Sequence, residues 1–246
     1  MCIRDRHFGA PTLEASKVRE KIFLNWLDEI RKDAFVLFLL GDLFDFWFEY
    51  KHVVPKGFVR ILGKLANLAD NGIKIHYFVG NHDLLMRNYF ETELGISVYH
   101  KPMDFTIDDS TFFIAHGDGL GPNDKGYKLI KKIFVNPIAK RLYQSLHPDI
   151  GMRLGHYFSV KNKSISGAKD IIFEDEEKEW LVQYAKRKLE QKHRDFFIFG
   201  HRHIPLEIEL NSKSKYINLG DWITHFTYGV FYNKSFELKK WKDLGD

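Results

Sequence analysis

Apolar runs that stop abruptly at a polar residue recur along the chain. Residues 34–40 are all apolar and end in Gly41-Asp42. Residues 75–79 lead into Gly80-Asn81-His82-Asp83, residues 111–115 into His116-Gly117-Asp118, and residues 196–199 into Gly200-His201-Arg202-His203. Runs this short, bounded by such stops, predict strands buried on both faces of a sheet. Between them, apolar residues three and four apart predict helices. One follows Thr12 through Val18, Ile22, Phe23, Trp26, Leu27 and Ile30, with one face buried. A second runs through Phe58, Ile61, Leu62, Leu65 and Leu68 to Asn71-Gly72. A third, through Trp180, Leu181, Tyr184, Ala185 and Leu189, is predicted to open on Glu174-Asp175-Glu176-Glu177, acids at the positive end of the helix dipole.

The remaining pattern supplies smaller elements. Residues 89–95 predict a short helix, and 97–100 and 105–107 predict strands, with a turn at Asp108-Asp109-Ser110. Alternation at 206–210, a turn at Asn211-Ser212 and a return through 216–219 predict a hairpin, followed by a last aromatic strand ending near Tyr232. Strands that first alternate with helices and later pair with one another predict an α/β protein, a two-sheet sandwich flanked by helices.

One stretch departs from this rhythm. From 125 to 169 the chain carries Lys125, Lys128, Lys131, Lys132, Lys140, Arg141, Arg153, Lys161, Lys163 and Lys169 against the single acid Asp149. Apolar residues such as Leu129, Ile133, Phe134, Ile138, Leu142 and Phe158 are interleaved with them. Breaks at Asn136-Pro137 and His147-Pro148 divide it into two or three short helices. The division is therefore a core over 1–122 and 171–246, with a basic helical insertion over 123–170. Three readings of the insertion compete: a cap with a solvated lysine face, a basic arm for nucleic acid, and a lid whose apolar face accepts lipid chains while its lysines meet phosphate.

Composition narrows the picture. A length of 246 residues accommodates one large α/β domain with an insertion. Apolar content of 44% and charged content of 28% are those of a globular protein, and the lone Cys2 excludes a disulfide framework. The net charge of +4 is modest and its acids are dispersed, so nucleic acid is not an expected partner. No apolar run reaches the ~20 residues that span a bilayer. Membrane contact is expected to be peripheral, in a reducing cytoplasm.

The polar stops carry the chemistry. Ligands of open α/β sheets bind beyond the carboxyl ends of strands, and here the four stops carry Asp42, Asn81, His82, Asp83, His116, His201 and His203. Asp5 and His7 open the chain with a fifth acid and imidazole after only Met1-Cys2-Ile3-Arg4, so the first strand is expected to be truncated, replaced by foreign sequence, or a stub. Oxygen and imidazole donors without thiolate suit Mn, Fe or Zn. Seven candidate ligands, Asp5, His7, Asp42, Asn81, His116, His201 and His203, are too many for one tetrahedral ion and suit two, with Asp42 shared. Such a pair clamps a phosphoryl group and activates water for in-line displacement. Hydrolysis of a phosphate ester or anhydride follows. The adjacent rings of Phe46, Trp47, Phe48 and Tyr50 are either core or a wall for a nucleobase or an acyl chain.

Five ordered blocks, Asp5-Arg6-His7, Gly41-Asp42-Leu43-Phe44-Asp45, Gly80-Asn81-His82-Asp83, His116-Gly117-Asp118 and Gly200-His201-Arg202-His203, resemble those of the calcineurin-like metallophosphoesterases and span almost the whole chain. The resemblance implies an αββα sandwich holding two divalent ions, with Mn2+ expected. Asp5, His7, Asp42 and His203 would hold one ion, and Asp42, Asn81, His116 and His201 the other. His82 would sit over the phosphoryl group with Asp83 behind it. Within the superfamily, the aromatic rim and the insertion after His116-Gly117-Asp118 are similar to the UDP-2,3-diacylglucosamine diphosphatase branch of lipid A biosynthesis. That branch implies a lipid-linked nucleotide substrate cleaved to 2,3-diacylglucosamine 1-phosphate and UMP, at the inner face of the cytoplasmic membrane. Asp124, Lys125, Ser159, Lys161 and Lys163 would then contact substrate. Many members of the branch carry arginine where this chain has His82. Two other readings are a phosphoesterase for a soluble nucleotide or phosphoprotein, and a metal-bound scaffold without catalysis.

Overall fold

Burial with a period of two along the strands sorts the side chains into layers. The computed structural model describes residues 2–3, 6–10, 12–121, 125–166 and 173–242. In β2 (Val36–Leu39) and the residue after it, Leu37 and Leu39 face one way and Phe38 and Leu40 the other. The first pair packs with Phe23, Trp26 and Leu27 of α1 (Leu13–Ile30) and Ile61, Leu65 and Leu68 of α2 (Val59–Asp70). The second packs between two sheets, against Phe112 and Ile114 of β6 (Ser110–Ala115), Ile198 of β7 (Phe196–Phe199) and Ile217 of β9 (Ser214–Leu219). The opposite faces of those strands, Phe113, Phe197, Phe199 and Tyr216, bury Leu181, Val182 and Ala185 of α7 (Trp180–Gln191). The order of layers is helix, sheet, sheet, helix, as the alternation predicts. Each large side chain fully removed from water contributes about 1.5–3 kcal/mol, so the three clusters hold the layers together.

The first sheet has the order β11-β10-β1-β2-β3-β4, and the second β5-β6-β7-β9-β8. The remaining strands are β1 (Cys2–Ile3), β3 (Lys74–Phe78), β4 (Ser97–Tyr99), β5 (Met103–Ile107), β8 (Pro205–Asn211), β10 (Thr227–Tyr232) and β11 (Ser235–Lys240). β1 lies between β10 and β2, antiparallel to β10 and parallel to β2. Pairing resumes beyond it, where Phe8 N–H donates to Leu43 O at 3.0 Å and Asp45 N–H to Phe8 O at 2.9 Å. A short helix, α3 (Tyr89–Leu94), closes on Gly95 in the left-handed conformation.

Three expectations are corrected. The acids at 174–177 do not open α7. Residues 176–178 form a turn, where Asp175 Oδ1 accepts Lys178 N–H at 2.8 Å, and the helix begins at Trp180. Val18 lies on the water side of α1, 64% exposed, because the buried stripe falls on Phe23, Trp26, Leu27 and Ile30. The chain does not end its last sheet near Tyr232, since a tight turn at Asn233 and Lys234, both at positive φ (50° and 63°), returns it as β11.

The insertion forms three helices, α4 (Lys125–Val135), α5 (Pro137–Gln144) and α6 (Pro148–Ser166). The Asn136-Pro137 break works as a helix start: the Asn136 side chain accepts from Ile138 and Ala139 N–H at 2.8 and 3.2 Å, with Pro at the first helical position. No helix among the described residues is long and apolar enough to cross a membrane.

Candidate metal centre

The ligand blocks follow the carboxyl ends of β1, β2, β3, β6 and β7, and parallel pairing of β1 with β2, β2 with β3 and β6 with β7 points those ends the same way. Asp42 is the hub. Its carboxylate is buried, Oδ1 accepts the His82 N–H at 2.9 Å, and Oδ2 lies 3.3 Å from His116 Nε2 and 4.0 Å from His7 Nε2. Burial works to raise its pKa, but the imidazoles of His116, His82 and His7 outweigh that and hold it well below the usual carboxylate range. Asn81 Oδ1 lies 3.2 Å from His116 Nε2 and 3.1 Å from His201 Nδ1. The rings of His7 and His203 stack with centroids 5.6 Å apart, and those of His116 and His201 lie 5.4 Å apart. His7, Asp42 and His82 each offer a ligand atom within 4.8 Å of the others. Asp5 and Asp124 lie outside the described residues, as do the side chains of Lys125, Lys161 and Lys163.

These residues fit divalent ions. The His116 Nδ1 sits 2.6 Å from Leu40 O, an acceptor, so Nδ1 carries a hydrogen and Nε2 faces Asp42 Oδ2 and Asn81 Oδ1, offering its lone pair once deprotonated. A nitrogen lone pair facing two oxygens is an arrangement that a cation between them stabilises. The backbone agrees: His7, Asp42 and His201 all have positive φ, 45°, 50° and 68°. Non-glycine residues held there cost of order 1–3 kcal/mol each and concentrate at functional sites. Gly80 shows how tightly the tips converge, since a Cβ there would lie 2.9 Å from Asp42 Cγ.

Asp83 takes a different place from the one expected behind His82. Its carboxylate accepts from Tyr77 Oη–H, from Gly80 N–H and, at 3.0 Å, from Asp42 N–H. Burial, and then the charge of Asp42, pushes its pKa up to about 7, while these three donors favour the carboxylate. Asp83 thus ties the tip of β3 to the tip of β2. The His82 ring instead sets Nδ1 2.8 Å from Asp45 O and 3.2 Å from Ser159 Oγ of α6. Asp221, after β9, was not among the expected residues. Its Oδ2 lies 3.4 Å from His203 Nδ1, and its Oδ1 accepts from Thr224 and His225 N–H at 2.9 and 2.8 Å. Burial opposes its ionisation, but the His203 ring and these N–H groups hold its carboxyl below the ordinary range. A strand ending in Leu219-Gly220-Asp221 repeats the pattern that marks Asp42, and that was the available signal.

Beside the centre, the insertion and core enclose a cavity of about 280 Å³, lined by Asn81 and His82 at one end and by Phe46, Ile133, Phe134, Tyr143 and Phe158 among its other residues. The aromatic rim divides accordingly: Trp47 and Phe48 are core, while Phe46 is cavity wall. On the far side of His116, Asp118 is buried and its Oδ2 accepts from Lys131 Nζ of α4 at 2.6 Å.

The sequence is similar to those of known proteins. The family model described as Calcineurin-like phosphoesterase matches residues 18–205. A UDP-2,3-diacylglucosamine hydrolase of Porphyromonas gingivalis is 34% identical over 252 residues, covering 98% of this chain and 96% of its own length. One of the same name from Photorhabdus laumondii is 27% identical, covering 88% and 89%. With the family model spanning most of the chain and residues of all five ligand blocks meeting around Asp42 and Asn81, the chain belongs to the calcineurin-like phosphoesterases.

Proposed function

We propose that this chain hydrolyses the pyrophosphate linkage of UDP-2,3-diacylglucosamine, releasing UMP and 2,3-diacylglucosamine 1-phosphate. The observation that carries the reading is the apolar cavity of about 280 Å³ that opens directly onto Asn81 and His82. A wall of Phe46, Ile133, Phe134 and Phe158 beside the phosphoryl site gives an acylated glucosamine apolar surface to bury its chains against. The name shared by the Porphyromonas gingivalis and Photorhabdus laumondii relatives supports the same substrate.

His7 and His203, with Asp5, form one half of the proposed ligand set, and Asn81, His116 and His201 the other, with Asp42 shared. Bound ions, expected to be Mn2+, supply Lewis-acid stabilisation of phosphoryl oxygens and an activated water. Within the chain, Asp42 supplies the negative charge that draws both ions. Asp221 orients His203, and the Leu40 carbonyl orients His116. His82, with Nδ1–H engaged by Asp45 O, has Nε2 for a phosphoryl oxygen, to which it donates only when both ring nitrogens carry hydrogen.

The outer faces of the three insertion helices carry Leu129, Ile138, Leu142 and Ile150, each more than half exposed, among Lys132, Arg141 and Arg153. Apolar side chains inside a basic surface suit peripheral contact with an anionic leaflet, where each nearby cation contributes about 1 kcal/mol and salt screens it. The proposed location is therefore the cytoplasmic face of the membrane that holds the lipid.

The test incubates purified, Mn2+-loaded protein with UDP-2,3-diacylglucosamine and with UDP-N-acetylglucosamine and measures UMP release. Release from the diacylated substrate alone is expected. Equal release from both would favour the soluble-nucleotide reading, and release from neither, with ions bound, the scaffold reading.

A further inference from the structure

The insertion reaches into the catalytic centre as well as over it. On α6, the described buried positions are Gly151, Gly155 and Ser159, four residues apart and so on one face, about 6 Å from one to the next. The two glycines let that face approach the aromatic rim. A Cβ on Gly155 would collide with the ring of Phe46, and one on Gly151 with the hydroxyl of Tyr50. Tyr143 of α5 donates its hydroxyl hydrogen to Gly151 O, and His156 Nδ1 lies 3.3 Å from the buried Asp45 Oδ2. Seated this way, the third position of the face, Ser159, is 5% exposed and brings Oγ within 3.2 Å of His82 Nδ1.

We infer that Ser159 is a positioning residue for His82, so that docking of α6 completes the catalytic histidine and does more than shape a lipid cavity. The Asp45 carbonyl at 2.8 Å only accepts, so His82 Nδ1 carries its hydrogen, and Ser159 Oγ is a second acceptor of that same N–H. Two acceptors from two different elements, one from the β2 loop and one from the insertion, fix the ring plane, while the Asp45 carbonyl by itself sets the tautomer. The remaining nitrogen, Nε2, is then the working one. Without Ser159 the ring keeps a single anchor and gains freedom to rotate about it.

This inference rests on His82 acting at the phosphoryl group, but not on the lipid nucleotide. The test is a cycle of Ser159→Ala, His82→Ala and the double variant, read as kcat and KM for Mn2+-dependent hydrolysis of bis-p-nitrophenyl phosphate. A parallel measurement of the ¹⁵N resonances of His82 in metal-free protein reads the tautomer directly. Ser159→Ala is expected to lower kcat about threefold to tenfold, the effect of one lost hydrogen bond, with KM unchanged. Ser159→Thr, which keeps the hydroxyl, is expected to restore it. The double variant is expected to be no slower than His82→Ala, because the serine acts only through that ring. In the metal-free protein, His82 is expected to keep the Nδ1–H form that the Asp45 carbonyl sets, while Ser159→Ala moves its Nδ1 resonance because that N–H has lost one of its two acceptors. Unchanged kcat on the diester, losses that multiply in the double variant, or an unmoved His82 Nδ1 resonance would each overturn the assignment. Since neither readout uses the diacylated nucleotide, the role of Ser159 stands or falls separately from the substrate proposed above.

Discussion

Among single residues, Asp42 is the one whose loss is felt everywhere. Its two oxygens face His82 N–H on one side and His116 and His7 on the other, in a left-handed backbone conformation that only a committed structure maintains. Asp42→Asn keeps the shape and an acceptor for His82 N–H while removing the charge. At about 1.5–3 kcal/mol for a charged contact with each of two ions, the expected loss is about 3–6 kcal/mol, or 10²–10⁴-fold in activity. Metal analysis of the purified variant should show most of both ions gone. Two tightly held ions with near-normal turnover would remove Asp42 from the bridging position. Residues of this kind were legible in the chain because each stands at a strand end after a glycine or as the first polar residue. Tyr77 was not. It sits inside the apolar run of β3 and reads as core, and only its hydroxyl, turned to Asp83 across the sheet, separates it from its neighbours.

At the scale of elements, the seat of α6 decides how the insertion works. Gly155→Leu places a branched side chain where the Phe46 ring lies. Overpacking of this kind costs about 1–3 kcal/mol, which for a chain of this size shifts Tm by roughly 2–4 °C per kcal/mol. Because Gly155 also lines the cavity, KM for the diacylated nucleotide should rise while KM for a small diester stays in place. Parallel kinetics on the two substrates, with Tm by calorimetry, check this; an equal change in both KM values would detach the cavity from lipid recognition. The Ser159 contact also means that excising the whole insertion perturbs His82 along with lipid binding. Elements were read from apolar spacing, and the spacing failed where turn chemistry was unusual. Asn233-Lys234 closes a two-residue hairpin without the glycine that normally announces one, so β11 went unseen.

For the molecule as a whole, the insertion is clamped to the core on both sides of the site, by α6 on the aromatic rim and by the Lys131–Asp118 pair. Burial alone would raise the Asp118 pKa, but the charges of His116 and Lys131 overcome it and hold the carboxyl below its ordinary value. A depressed folded pKa contributes stability that is present above the unfolded carboxylate range, about pH 4, and is lost as pH falls through the folded value. Lys131→Met should therefore be less stable than the parent by about 1.5–3 kcal/mol near neutral pH, and the gap should close as pH falls below about 4. Thermal unfolding of metal-free protein between pH 3 and 7 measures this. A gap that does not change with pH would show that Lys131 acts by packing and not by charge.

What the sequence determined by itself is everything that repeats locally. Strand ends bearing Asp, Asn and His, apolar periods of two and near 3.6, and helix breaks at Asn136-Pro137 and His147-Pro148 are short-range patterns, and each predicts its own element without reference to the others. They were enough for the layered fold, for the strand ends that carry Asp42, Asn81, His116 and His201, and for the three helices between β6 and α7. Tertiary structure alone decided which groups face one another across a long span of chain. That Asp83 braces Asp42, that Asp221 faces His203, and that Ser159 reaches His82 from 77 positions away follow from sheet register and from the close approach of α6 to the rim. Glycines at 151 and 155 read locally as weak points of a helix. They become a docking face only when Phe46 and Tyr50 lie against them, because the absence of a side chain has meaning only relative to what fills the space.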